Sequence, residues 1–277
     1  MKKHLIGSFA ITAAAALALT GCGSAPATSG STAGSAENAS ATQAGYSLIE
    51  DGVLTVGTEG AYEPFEYYVD GEITGFDIDL IKAVADELDL EVDYQVVEFD
   101  TIIPGVSSGT KYDVGIAGIT VTPERAEEIE FTDSYYMDDQ AIVTSVDNAD
   151  VTEETYADAL NAEGIKIAAQ SGTTSESFIR ENFPNATVVT FAGATDCFAA
   201  LQAGQVDALV TNRSVGAQLI ASSFTTCHVI KQVSTGEEYA IAVNQDNPEL
   251  TAAINGALDT LSENGTIDAL MEQYNIK

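Results

Sequence analysis

The sequence predicts an α/β protein of two similarly built lobes, and three observations predict it. From Val53 onward short β-rich runs alternate with helical segments, the order of a sheet with parallel strands. The pattern then recurs. Gly109-Thr-Lys-Tyr-Asp113 is answered by Gly204-Gln-Val-Asp207, each glycine following a helical run and each aspartate leading a strand. Two amphipathic helical segments near the C-terminus are then expected to pack onto a lobe already formed.

The elements follow in order. "VLTVG" is a short strand, and "TEGAYEPFEYYVDGEITG" after it is rich in turn residues. "FDIDLIKAVADEL" places Leu80, Ile81, Val84, Ala85 and Leu88 at helical spacing, with Asp77 and Asp79 near its positive end. "VDYQVV" is a strand, "TIIPGVSSG" a short helix ending near Gly109, and "YDVGIAG" a buried strand. In the second half "IKIAAQSGTTSESFIREN" reads as strand, Gly/Thr loop and helix, and "CFAALQAGQVDALVTN" as helix, glycine and strand. "NPELTAAINGALDTLSENGTIDALMEQY" gives the last two helices, through Leu250, Ile254, Leu258 and Leu261, then Ile267, Leu270 and Met271, with Gly265 between them.

The formal charge of −33 speaks against nucleic acid and anionic lipid as partners. It does not imply a cationic ligand, because most of these charges belong to solvated surface. At 45% apolar composition the chain can bury a sizeable core. Cys197 and Cys227 read as buried free thiols. No Cys/His group has metal-ligand spacing, His4 and His228 being the two histidines, so neither metal nor cofactor is expected.

The N-terminus is set apart by composition. Lys2 and Lys3 precede an apolar run from Leu5 to Leu19, shorter than the ~20 residues of a spanning helix and built like a secretory signal over residues 1–21. "LTGC", ending in Cys22, resembles the lipobox of bacterial lipoproteins, where the cysteine is freed by cleavage and lipidated. Residues 22–45 then form a Gly/Ser/Ala linker unable to build a core. The body is expected outside the cytoplasm, held to the cell membrane by lipidated Cys22.

"GITVTPERAEEIEFTDSYY", residues 118–136, carries Arg125, one of three arginines in a chain with 43 acids. Spacing alone allows a surface pair with Glu127, Glu128 or Asp133. However, this stretch, with "VGTEGAYEPFEY", "GEITGFDIDLIKAVADEL", "QSGTTSESF" and "LQAGQVDALVTNR", resembles the polar amino-acid-binding proteins of ATP-binding-cassette importers. The resemblance runs in order through everything after the linker. It implies the type II periplasmic-binding-protein fold: two lobes, each a mainly parallel sheet flanked by helices, with a ligand cleft between them. Lobe I would be 46–136 with 239–277, lobe II 141–233, and the crossings 137–140 and 234–238. It also implies a monomer that captures an amino acid or related small carboxylate and delivers it to a permease and its ATPase.

Ligands of open α/β sheets sit beyond the carboxyl ends of strands, which gathers the loops after "VLTVG", "VGIAG", "IKIAA" and "DALV". Arg125 matches the family arginine that takes the ligand's α-carboxylate, where a planar guanidinium gives two parallel charge-assisted bonds. Ala117, Gly118 and Thr120 match the loop that presents a carbonyl, an amide and a hydroxyl to the head group. Gly172, Thr173 and Thr174 open a helix whose unpaired amides favour an anion; the same residues also suit a simple N-cap. Tyr62 and Phe99 match side-chain-pocket positions, though Phe99 also suits core, as Phe65 does. Gln170 is a polar wall. Glu59 is where some relatives meet basic side chains, but it reads first as solvated surface.

Asn212 departs from the family, which has an aspartate there for the ligand's α-ammonium. Either the ligand lacks that cation or another acid substitutes. For an ordinary amino acid, Asn212→Asp is expected to strengthen binding. Arg213 beside it is expected to point away from the cleft. Two other functions share the fold class: a dehydratase on prephenate-like acids, with Glu59 as the one credible general acid, and a sensor feeding a separate receptor. The candidate residues form a binding set, so no enzyme activity is expected.

Overall fold

The computed structural model describes residues 45–277; the signal segment, Cys22 and the linker up to residue 44 lie outside the described residues. The chain begins with β1 (Val53–Thr58), and a small antiparallel sheet follows: β2 (Ala61–Tyr62), β3 (Glu66–Val69) and β4 (Glu72–Thr74). Helix α1 (Phe76–Glu87) buries Leu80, Ile81, Val84 and Ala85 completely, as their spacing requires. Then come β5 (Glu91–Val96), a 3₁₀ turn at Phe99–Thr101, α2 (Ile102–Ser107), β6 (Val114–Gly115), α3 (Pro123–Ala126) and β7 (Glu130–Phe131).

The second half holds β8 (Tyr136–Ser145), α4 (Tyr156–Leu160), β9 (Lys166–Gln170), α5 (Thr174–Asn182), β10 (Thr187–Phe191), α6 (Ala194–Gln202), β11 (Ala208–Asn212), α7 (Arg213–Ser222) and β12 (Cys227–Tyr239). Last are β13 (Ala242–Val243), α8 (Pro248–Glu263) and α9 (Thr266–Gln273).

Two five-stranded sheets result, ordered β5-β1-β6-β13-β7 and β10-β9-β11-β8-β12. In each, three neighbouring parallel strands are followed by an antiparallel one, β13 beside β6 and β8 beside β11. The repeat read from two short motifs is therefore a repeat of strand order. "YDVGIAG" is buried as expected, yet its ladder covers Val114 and Gly115 alone. The chain leaves the sheet there and turns at Gly118, whose φ is +53°.

β8 and β12 pair antiparallel from Ser145↔Cys227 to Tyr136↔Tyr239, with register breaks between Val229 and Lys231 and between Val233 and Glu237. Their shared end meets a nest of rings. Phe65, 0% exposed, stacks edge-on against Tyr136 and Tyr239 at 5.3 Å each, and Phe76 lies 6.1 Å from Phe65. α8 packs on α1 through Leu250, Ile254, Leu258 and Leu261, burial worth roughly 1.5–3 kcal/mol per side chain, and α9 adds the partly buried Ile267, Leu270 and Met271. Gly265 separates them in a left-handed conformation, φ +80°. Cys197 and Cys227 are buried and unpaired with each other. Among the described residues no helix is long and apolar enough to cross a membrane.

Candidate functional site

The carboxyl ends of β1, β6, β9 and β11 converge, each supplying residues to one cleft. α3 is a single turn capped by Thr122, whose Oγ1 accepts from the Arg125 amide at 3.2 Å. This turn swings the Arg125 side chain back over its own loop. Its Nη1 donates to the Thr120 carbonyl at 2.7 Å and its Nη2 to the Gly172 carbonyl at 3.0 Å, so the guanidinium ties the first half to the second. Its centre lies 5.4 Å from the Phe99 ring centroid, a cation–π distance. Phe99 packs with Ile102 and Ile119, as its core reading has it, and also floors the arginine. Among the described residues Arg125 forms no ion pair: Glu127, Glu128 and Asp133 are not its partners.

Gly118 needs its missing side chain, since a Cβ there would stand 3.2 Å from Tyr239 and 3.4 Å from Tyr62 at a left-handed φ. Its amide donates to Asp77 Oδ2 at 2.7 Å, so α1 fixes the loop from behind. That amide is therefore committed within the protein and not offered to the cleft. The Ala117 side chain is fully buried among Phe99 and its neighbours, leaving only backbone for the cleft. Across the cleft, Thr173 is the cap of α5, accepting from the Glu176 amide at 3.3 Å. Thr174 is free of that duty, and its hydroxyl points inward.

Glu59 corrects the sequence reading. It is 4% exposed rather than solvated, and it accepts a hydrogen bond from Gln170 Nε2, which also donates to the Ala192 carbonyl at 3.0 Å. Burial pushes its carboxyl up to about 7, against the lowering effect of the Gln170 bond. Glu59 Oε1 and Gln170 Oε1 are buried acceptors with no hydrogen-bond partner among the described residues. Tyr62 donates from its hydroxyl to Asn212 Oδ1, bringing another pair of candidates together across the halves. Arg213 turns toward Asp138, Nε to Oδ1 3.5 Å, and away from Asn212's neighbours in the cleft.

One residue of the site was missed. Glu237, on β12 beside the second register break, is 9% exposed and its carboxylate sits among the candidates. Oε2 accepts from Thr120 Oγ1 at 2.9 Å, Thr174 Oγ1 at 2.9 Å and Asn212 Nδ2 at 3.0 Å. Oε1 accepts from Gln140 Nε2 at 2.6 Å. Its signal in the sequence was indirect: the lost aspartate at 212 asked for an acid from elsewhere.

Tyr62, Phe99, Gly118, Thr120, Arg125, Thr173, Thr174 and Asn212 line a narrow cavity of about 10 Å³. Tyr62 and Thr173 also line a closely packed cleft with Gln170, Ala194, Cys197 and Thr211, which leaves no free volume for a water-sized molecule. Larger hollows, such as the one bounded by Leu48, Tyr112 and Asn244, lie away from the converging strand ends. No group of three or more His, Cys, Asp or Glu among the described residues is arranged to hold a metal ion.

Comparison with known proteins agrees with this geometry. Residues 54–277 match the bacterial extracellular solute-binding proteins, family 3. The chain is 29% identical over 226 residues to ABC transporter arginine-binding protein 1 of Escherichia coli (strain K12), covering 80% of this chain and 90% of that one. It is 30% identical over 278 residues to the L-cystine-binding protein TcyA of Bacillus subtilis (strain 168), covering 99% and 97%. A solved ancestral arginine-binding protein bound to arginine superposes with TM-score 0.74 at 36% identity, covering 80% of this chain and 98% of that one. A two-lobe α/β scaffold with a closed, polar cleft and a match this long lead to one conclusion: the chain belongs to the bacterial extracellular solute-binding proteins, family 3.

Proposed function

We propose that this protein is the extracytoplasmic amino-acid-binding component of an ABC importer, passing its ligand to a membrane permease with its ATPase. The observation that carries the reading is Arg125. In a chain with 43 acids its guanidinium lies over Phe99 and is held by backbone carbonyls of both halves, with no carboxylate of the described residues paired to it. A ligand carboxylate there gains a planar, charge-assisted partner, with Thr174 at the start of α5 facing it. Residues 46–136 with 239–277 act as one lobe and 141–233 as the other, turning about crossings at 137–140 and 234–238. The buried, unpartnered acceptors Glu59 Oε1 and Gln170 Oε1 favour a ligand side chain carrying donors, a guanidinium or an amide.

Thermal-shift screening of the twenty amino acids and L-cystine tests this. A true ligand at about 100 times its Kd adds about 2.7 kcal/mol and raises Tm; no shift with any of them sinks the reading. Arogenate or prephenate should yield no aromatic product, and if one forms, the protein is an enzyme. Anchoring through Cys22 is part of the proposal: Cys22→Ser should move the protein from the membrane to the soluble fraction, and retention in the membrane would refute it.

A further inference from the structure

The geometry points to Glu237 as the residue that recognises the α-ammonium of the bound amino acid, with Asn212 positioning it. This assignment rests on the amino-acid reading above and adds a specificity-determining residue to that site.

The register of β12 against β8 breaks between Val233 and Glu237, and Gly236 inside the break takes a left-handed φ of +62°. Such bulges re-aim a side chain, and this one directs Glu237 into the cleft. Its hydrogen-bond donors, Thr120, Thr174, Asn212 and Gln140, are all uncharged, and they come from the first half, the second half and β8 between them. Thr235 Oγ1 adds a long contact at 3.5 Å. Neutral donors leave the carboxylate without an ion pair of its own, Arg125 acting on it from beyond contact distance, and a ligand cation would complete the arrangement. The Tyr62 hydroxyl donates to Asn212 Oδ1, which fixes the amide so that its NH₂ faces Glu237. Asn212 is therefore a positioning residue, and the negative charge absent at 212 stands one hydrogen bond away. Thr120, whose carbonyl holds Arg125 and whose hydroxyl holds Glu237, sets the cation and the anion side by side. An α-amino acid presents carboxylate and ammonium with that same adjacency.

The sign of the Asn212→Asp effect reverses as a result. A carboxylate at 212 would replace a donor with a like charge at hydrogen-bond distance from Glu237, so the substitution is expected to weaken binding.

The test is calorimetric titration of the full chain with L-arginine, L-glutamine and L-cystine, each paired with its analogue lacking the α-amino groups. Glu237→Gln should lower affinity for the amino acid about tenfold or more, while the deamino analogue loses little, so the preference for the amine collapses. Asn212→Asp should weaken binding, and Asn212→Asp/Glu237→Gln, which moves the charge to 212, should restore much of the preference. Loss of all binding in Glu237→Gln through misfolding would show in circular dichroism, and the double variant then decides by its amine preference. An unchanged preference in Glu237→Gln overturns the assignment. So does tighter binding of both compounds, which would make Glu237 an internal anion competing for the ligand's donors. If the wild-type protein binds none of the three, the amino acid selected by the thermal-shift screen takes their place; no ligand in that screen refutes the amino-acid reading, whereas a bound amino acid with an unchanged preference in Glu237→Gln refutes this assignment alone.

Discussion

The two halves of the molecule bring equivalent strand ends to one cleft with different chemistry. β1 leads into Glu59 and β9 ends at Gln170, and these two side chains meet across the halves. The third strands diverge further. After β6 the chain wanders from Ala117 to the short α3 before delivering Arg125 inward, whereas α7 begins directly after Asn212, and Arg213 is turned onto Asp138. Strand order repeats because it answers one packing problem twice. Loop length after the strand decides which arginine reaches the cleft.

That contrast is broken most strongly at Arg125. Arg125→Ala is expected to cost ~2–5 kcal/mol of ligand binding in calorimetric titration, because a buried ligand carboxylate loses its partner. Arg125→Lys should recover little, since an ammonium cannot reproduce the fork. Affinity within a factor of three of wild type would place the carboxylate elsewhere.

Glu59 sharpens the comparison of the first strands. Its carboxyl, raised by burial from 4.5 to about 7, keeps its proton in the folded protein where the unfolded chain has lost it. Stability from this group is therefore intact below the unfolded value and falls as pH rises from about 4.5 to about 7. At about 1.4 kcal/mol per pH unit the loss comes to about 3 kcal/mol. Glu59→Gln should flatten that part of the stability–pH curve in chemical denaturation, whereas a curve like the wild type's would mean Glu59 is ionised in the fold. A cationic ligand side chain reaching Glu59 would favour its charged form, so binding near about pH 6.5 should release a proton.

Arg213→Ala should have the smallest effect, within about 0.5 kcal/mol on binding, because Arg213 is turned from the cleft onto buried Asp138, which keeps its bonds from the Asp139 and Ser214 amides. A loss comparable to that of Arg125→Ala would mean that both halves contribute an arginine to the ligand.

Much of this was legible in the sequence, for physical reasons. α1 and α8 declare themselves through apolar residues at helical spacing, and the repeated glycine–aspartate punctuation reflects a repeated strand order. Arg125 and the Gly172–Thr174 loop were read through their match to a family, since spacing alone favoured a surface pair for Arg125. Glu59 was misread because a charged residue at a strand end is usually solvated; its burial comes from Gln170, 111 positions away in the chain. Glu237 was invisible for a similar reason. "TGEEY" looks like an exposed acidic turn, and nothing local announces the bulge that aims one of its two glutamates inward.

The central claim is that the cleft recognises a carboxylate at Arg125. It is tested most directly by titrating the wild-type protein with the amino acid selected in the thermal-shift screen and with its α-carboxamide, which differs only in the charge removed. Binding of the acid with loss of about a hundredfold for the amide, and no such discrimination in Arg125→Ala, is the expected result. Equal affinity of the wild-type protein for acid and amide would contradict the account.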